Sequence, residues 1–354
     1  MSIVSLLPSG ITPNGSKQRY QRQTQLPFWG DNGQKGLLEA GVAIIGCGAL
    51  GTLQAEALVR AGVGRVVLID RDFVEVSNLH RQFLFTEQDA AESLPKAIAA
   101  ARRLRAVNSE VQIDAEVADL EPGNIRDLCA GASLILDATD NFETRYLIND
   151  YSVATNTPWI YGGAVGTYGI SATFLPSAGS KLQACFRCLY PDPPAGVQPT
   201  CETAGVLSAI TMLIATVQVS EALKLLSSNS SALRNTIYTT DIWNNHTREA
   251  PFPERDSDCP TCVQRNFEWL NGLHRAPISM CGRNAVQIHE KRAVNLAELS
   301  LALAPLGPVR HNEFALRFFP EPYEITVFPD GRAIIKGTTD PGVARSVYAR
   351  YLGQ

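Results

Sequence analysis

The chain has 354 residues, enough for one large domain plus a smaller one, with 45% hydrophobic and 19% charged residues, an ordinary globular composition. A formal net charge of -4 gives no electrostatic case for nucleic acid as the main partner. The opening MSIVSLLPSG has no basic residue ahead of its apolar patch, which argues against a secretory signal, so eight cysteines point to metal or thiol chemistry in the cytoplasm and not to a disulfide framework.

Residues 1–18 are rich in Ser, Pro and Gly and are expected to be flexible. An entry segment spans 19–39, after which strands and helices alternate. Residues 41–45 read as a strand, and the glycine-rich run 46–51 leads into a helix whose Leu50, Leu53, Ala57, Leu58 and Ala61 recur at helical spacing. A second strand covers 65–70. Next come a helix at 97–107, a strand at 111–116, a helix at 125–130, a buried strand at 134–137, a helix at 146–155 and a strand at 159–161. Strands at 169–175 and 237–243 flank a long apolar helix at 204–226, in which Gln218, Glu221 and Lys224 favour a buried helix over a membrane span. This alternation predicts a Rossmann-like α/β domain over 19–270, its sheet mainly parallel with helices on both faces. Residues 277–354 change character. A strand at 285–289, a helix at 296–303, strands at 314–319, 323–328 and 333–336, and a helix at 342–351 suggest a small α+β domain.

Gly46, Gly48 and Gly51 form G-x-G-x-x-G between a strand and a helix, where a tight backbone can approach a phosphate at the helix N-terminus. Asp70 closes the next strand about 20 residues on, the position from which a carboxylate reaches ribose hydroxyls. A structural turn is the plainer reading, and a NAD-dependent oxidoreductase would show the same residues. Further on lie Asp72, Ser77, Asn78, Arg81 and Lys96. Singly, Arg81 and Lys96 read as solvated surface charges. Together with Asp140 and Asn141, in the DATDN turn that follows a buried strand, they describe a triphosphate site with a carboxylate suited to magnesium.

Cys185 and Cys188, and Cys259 and Cys262, form two CxxC pairs that together supply the four thiolates of a tetrahedral zinc site. Chance pairs or a redox CxxC are the alternatives. Cys201 precedes the long helix, whose N-terminus would raise its thiolate fraction; a small residue in a loop is the plainer reading. Cys47 and Cys129 read as packing residues, and Cys281 has no assignment.

The runs RYQRQ, GCGALG, LIDRDFVEVSNLHRQF, LPK, DATDN, CFRCLYP, PTCETAGVL and CPTC, in that order, strongly resemble the ThiF/MoeB/HesA family, bacterial relatives of the ubiquitin-activating enzymes. The resemblance spans about 19–262. It implies ATP-dependent adenylation of the C-terminal carboxylate of a ubiquitin-like sulfur-carrier protein ending in Gly-Gly, with release of pyrophosphate, in thiamine or molybdopterin biosynthesis. It further implies that Asp70 binds ribose, that Asn78, Arg81 and Lys96 contact phosphates, and that Asp140 holds Mg2+. Gly46, Gly48, Ala49, Gly51, Asp72, Ser77 and Asn141 complete that nucleotide site. Arg22 would reach into the site of a second copy, making a homodimer the active form. The two CxxC pairs would hold a structural Zn2+, and Cys201 is the candidate sulfur-transfer thiol. Residues 277–354 do not resemble a rhodanese domain, so the sulfur donor is expected to be a separate protein. A relative that adenylates a tRNA base or a short peptide remains a rival reading, as does a non-catalytic scaffold.

Overall fold

Two helices, α1 (Pro13–Thr24) and α2 (Gly30–Glu39), precede the first strand in the computed structural model, which describes residues 13–176, 183–194, 201, 203–274, 279–280, 285–289 and 293–353. The first helix begins inside the stretch expected to be flexible. Pro13 sits at its first position, where a missing N–H costs nothing, and Lys17-Gln18-Arg19 are good helix formers.

Strand β1 (Gly41–Ile45), helix α3 (Ala49–Ala61) and strand β2 (Arg65–Ile69) follow, then α4 (Glu87–Ala91), α5 (Lys96–Val107), β3 (Gln112–Glu116), α6 (Ile125–Leu128) and β4 (Leu134–Asp137). The body continues with α7 (Phe142–Thr155), β5 (Trp159–Val165), β6 (Tyr168–Phe174), α8 (Phe186–Leu189), α9 (Ser208–Leu226), β7 (Thr236–Asp241) and β8 (His246–Pro251). Its strands form one sheet in the order β3-β2-β1-β4-β5-β6-β7-β8. The first five run parallel, and β5 to β8 pair antiparallel.

The apolar runs are continuous because both sheet faces are covered. Val42 and Ile44 of β1 join Leu37, Leu58, Ala97, Leu104 and Ala222 in one core. Ala43 and Ile45 turn to the other face and join Ile125, Tyr146, Ile148 and Phe186. The edge strand β8 escaped the sequence reading for the converse reason: it is exposed along nearly its whole length and carries no apolar rhythm. Among the described residues only α9 is long and apolar enough to cross a bilayer, and it packs instead on α3, β5 and β6.

The C-terminal part comprises β9 (Ser279–Met280), β10 (Ala285–His289), α10 (Leu296–Leu303), β11 (Val309–His311), β12 (Leu316–Phe318), β13 (Glu324–Val327), β14 (Arg332–Lys336) and α11 (Pro341–Leu352). Its six strands form a second, antiparallel sheet in the order β11-β12-β13-β14-β10-β9. One face packs on α10 and α11 through Leu316, Phe318, Ile325, Ile335, Leu303 and Val347. The other turns toward the α/β body. Cys281 lies outside the described residues.

Candidate active site

The strand order reverses between β1 and β4: β1 connects onward to β2 on one side, while β4 lies on the other. Open α/β sheets leave a crevice at such a switch point, outside the carboxyl ends of the strands. A cleft of about 900 Å³ opens there, lined by the glycine loop after β1, residues 70–82 after β2, and the turn 138–142 after β4.

Two of the glycines are demanded by geometry. Gly46 has φ +95°, and a Cβ on it would stand 2.7 Å from the Ala138 carbonyl oxygen. A Cβ on Gly51 would run into the Gly46 carbonyl, so the first turn of α3 packs directly on the loop. Gly51 thus supports the loop from behind and is not among the residues lining the cleft.

The Asp70 carboxylate organises the loop that faces it. Cys47 N donates to Oδ2 at 2.6 Å and Asp72 N donates to Oδ1 at 2.7 Å. Burial pushes the Asp70 carboxyl above its ordinary value, and the nearby Lys96 ammonium pulls it back. Lys96, the first residue of α5, is buried and donates from Nζ to the Asp72 carboxylate at 3.2 Å. Ser77 and Asn78 lie on a single turn of 3-10 helix, and Arg81 donates to the Ser77 carbonyl at 3.0 Å. The structure therefore gathers Gly46, Gly48, Ala49, Asp70, Asp72, Ser77, Asn78, Arg81, Lys96, Asp140 and Asn141 around one cleft.

Residues that the sequence reading missed hold the Asp140 turn. Asp137, fully buried at the end of β4, accepts from Thr139 N at 2.9 Å and from Thr139 Oγ1 at 2.6 Å. Its other oxygen accepts from Arg145 Nε at 3.0 Å, while Arg145 Nη2 donates to the Thr139 carbonyl at 2.7 Å. Arg145 also lies over the Tyr161 ring at 4.9 Å. Burial opposes its charge, but Tyr161 and Asp137 outweigh that and hold its pKa above the usual guanidinium value. Asn141 caps α7, accepting from Thr144 N at 2.8 Å, which is why that helix starts at Phe142, ahead of the expected position. A charged residue inside a buried helix was the available signal for Arg145. Gln82 was missed as well. It is 3% exposed, lines the cleft near Gly48, and its Oε1 has no hydrogen-bond partner among the described residues.

Cys201 stands on the wall of the same cleft, its Sγ 3.5 Å from the Ala164 carbonyl. Helix α9 begins only at Ser208, later than expected, because the preceding segment is irregular. Cys201 therefore stands outside the N-terminal turn of α9, where the helix dipole acts most strongly. Arg22 is on an exposed face of α1, donating to Gln25 Oε1 at 3.4 Å, away from the cleft of its own chain.

The four paired cysteines converge elsewhere. Their sulfur atoms all lie within 4.8 Å of one another, with Cys185–Cys259 at 3.7 Å and Cys188–Cys262 at 3.6 Å. Zinc–sulfur bonds of about 2.3 Å in a tetrahedron place sulfurs about 3.8 Å apart, so the donor set fits Zn2+. Asn149 donates to Cys185 Sγ at 3.7 Å and Arg255 to Cys262 Sγ at 3.4 Å, the outer contacts that orient thiolates. Asp150 of α7 accepts from Thr261 Oγ1 at 2.8 Å and from Trp269 N at 2.9 Å, binding the 259–270 segment to the body. With four thiolates, the site has no open position for catalysis.

Residues 20–261 match the model of the ThiF family. The sulfur carrier protein ThiS adenylyltransferase of Bacillus subtilis (strain 168) is 41% identical over 340 residues, covering 95% of this chain and 99% of that protein. The sulfur carrier protein adenylyltransferase of Thermus thermophilus is 38% identical over 246 residues, 69% of this chain and 90% of that protein. Among solved structures, E. coli MccB with ATP superposes with a TM-score of 0.58 at 22% identity, over 72% of this chain and 77% of that one, a likeness of fold. Family model, near-full-length relatives and a cleft at the sheet's switch point agree: the chain belongs to the ThiF family.

Proposed function

We propose that the chain is an adenylyltransferase that activates the C-terminal Gly-Gly carboxylate of a ubiquitin-like sulfur-carrier protein with ATP. The observation that carries this reading is the convergence, in one cleft, of the glycine loop with Asp70, Asn78, Arg81, Lys96 and Asp140. Its support from relatives is the ThiS adenylyltransferase that matches nearly the whole chain. The carrier carboxylate attacks the α-phosphorus, the bond to the bridging oxygen of the β-phosphate breaks, and pyrophosphate leaves with that electron pair. No enzyme nucleophile is required. Asp70 would hold the ribose, and Asn78, Arg81 and Lys96 the phosphates, so that alignment and charge neutralisation supply the acceleration. Asp140 would hold Mg2+, which when bound neutralises negative charge on the departing pyrophosphate.

Several finer points belong to the same proposal. The active form is a homodimer in which Arg22 of each copy enters the other's site. The protein works in the cytoplasm, and a separate protein delivers sulfur for thiamine or molybdopterin biosynthesis. Cys201 would be the thiol that meets the activated carrier end after adenylation, a reading supported by its position on the cleft wall. The division into a 19–270 adenylation domain and a 277–354 domain follows the two sheets.

The test is pyrophosphate exchange into ATP by the zinc-loaded protein with each candidate carrier. Exchange should require the carrier's last glycine, fall about 100-fold or more in Asp140→Ala, and persist in Cys201→Ala. No exchange with any carrier, from protein that still binds ATP, would move the substrate to a tRNA base or a peptide.

A further inference from the structure

The C-terminal sheet has an inner and an outer face that alternate strictly along its strands. Leu316, Phe318, Ile325, Val327, Ala333 and Ile335 enter the core under α10 and α11. Arg317, Glu324, Thr326, Ile334 and Lys336 point the other way, as the two-residue period of a strand requires. Such a face reads as solvated in sequence. Here it forms one wall of the nucleotide cleft.

The contacts across this junction fall on segments that carry the nucleotide residues. Phe73 stacks on Phe328 with ring centroids 6.1 Å apart, and Ala285, Ala315 and Ile334 close a small apolar cluster around Phe73 and Val117. Arg332 donates to the Val117 carbonyl at 3.0 Å, and Asn312 donates to the Ser93 carbonyl at 3.1 Å, just ahead of Lys96. Glu75 lies between Asp72 and Ser77. Its carboxylate stands 3.7 Å from Arg317 and 3.5 Å from Lys336. Glu324 completes the set, 2.5 Å from Arg317 and 3.8 Å from Lys336. Arg317 is well covered, with 12% of its side chain exposed, and lies over the Phe73 ring at 5.8 Å.

We propose that the C-terminal sheet is a positioning element of the ATP site: Arg317 and Lys336, held by Glu324, grip Glu75 and thereby fix the 70–82 loop that presents Asn78 and Arg81 to the triphosphate. Between β2 and its 3-10 turn the loop is bridged to the body around Phe73, where Lys96 N donates to the Asp72 carbonyl at 2.8 Å and Val74 N to the Leu94 carbonyl at 2.9 Å. Glu75 lies beyond that bridge, and its hold comes from the C-terminal sheet. Anchors at Phe73 and Glu75 remove freedom that nucleotide binding would otherwise have to remove, which is how preorganisation raises affinity. Arg317, Lys336 and Glu75 act through the loop and are positioning residues, not catalytic ones.

The inference rests on the cleft being an ATP site. The full-length, zinc-loaded protein would be made as Glu75→Gln, Arg317→Ala, Arg317→Lys and the Glu75→Gln/Arg317→Ala double variant. Three quantities are read: equilibrium binding of Mg-ATP, backbone hydrogen exchange over 70–82, and pyrophosphate exchange. Glu75→Gln and Arg317→Ala should each weaken ATP binding roughly three- to tenfold, speed exchange over 70–82, and raise KM for ATP more than they lower kcat. Arg317→Lys should recover most of the affinity, and the double variant should be no worse than the poorer single one, because both cut the same link. Weaker binding in Arg317→Ala with Glu75→Gln unchanged would overturn the proposal, because Arg317 would then touch the nucleotide directly. Unchanged loop exchange in both variants would overturn it too. Absence of carrier-dependent activity in the unaltered protein would refute the proposed function alone, since ATP binding and hydrogen exchange still test the junction.

Discussion

The two sheets bring charge to the same cleft by different means. In the parallel sheet the cleft residues ride on loops that leave the carboxyl ends of strands, each loop pinned by a polar anchor. Asp70 holds the glycine loop, and the Asp137–Arg145 pair holds the Asp140 turn. In the C-terminal sheet the charges stand on the strands themselves, on the face opposite the helices. Loops on a parallel sheet can be aimed but need anchors. A strand face is rigid but acquires a role only from what it abuts. The four-cysteine cluster is a third arrangement, in which held segments and not charges are the product.

The largest expected effect would sharpen the contrast between the cysteine cluster and the cleft. Removing zinc with a strong chelator, or Cys259→Ser, should lower Tm by roughly 10 °C, because metal binding is folding free energy for the segments it ties. ATP affinity measured well below the transition should change less than about twofold. Calorimetry with nucleotide titration checks this, and an intact Tm without metal would show that the cluster is not structural.

Breaking an anchor in the parallel sheet should come next. Arg145→Met leaves the Asp137 carboxylate buried without its cation, at a cost of about 3–5 kcal/mol. Urea unfolding should report that loss, and pyrophosphate exchange should fall with it because the Asp140 turn is released. A stable Arg145→Met protein with full activity would break the claim that loops on this sheet depend on polar anchors.

The smallest effect belongs to the sheet junction. Phe328→Ala removes the ring that stacks on Phe73 and should cost about 3 kcal/mol, felt mainly by the C-terminal sheet. Its expected signature is faster hydrogen exchange over the 316–336 strands and the 70–82 loop, with exchange unchanged at the four cysteines. Equal destabilisation of both sheets would mean that they unfold as one unit.

The parallel core and the glycine loop were legible because local chemistry writes them down: continuous apolar runs, glycines where a Cβ cannot fit, and polar turns after buried strands. The paired cysteines were legible for a similar reason, since CxxC spacing already supplies two ligands from one turn. Less legible were β8, which lacks an apolar rhythm, and α1, whose start hides among Pro, Gly and Ser. Arg145 was hidden because a buried arginine looks like any other until its carboxylate and carbonyl partners are seen. The start of α9 was also misplaced, at 204 where the helix begins at Ser208, so Cys201 is not the residue next to its first turn.

Composition, periodicity and motif spacing decided the fold class, the glycine loop and each CxxC pair, because each depends on neighbours within one or two elements of the chain. That the two pairs meet in one cluster was decided by tertiary packing. The wall that Arg317 and Lys336 add to the cleft, and the grip of Arg145 on the Asp140 turn, were decided only when distant segments packed together. Strand alternation says which way a side chain points; what it meets there depends on which surface the sheet is laid against.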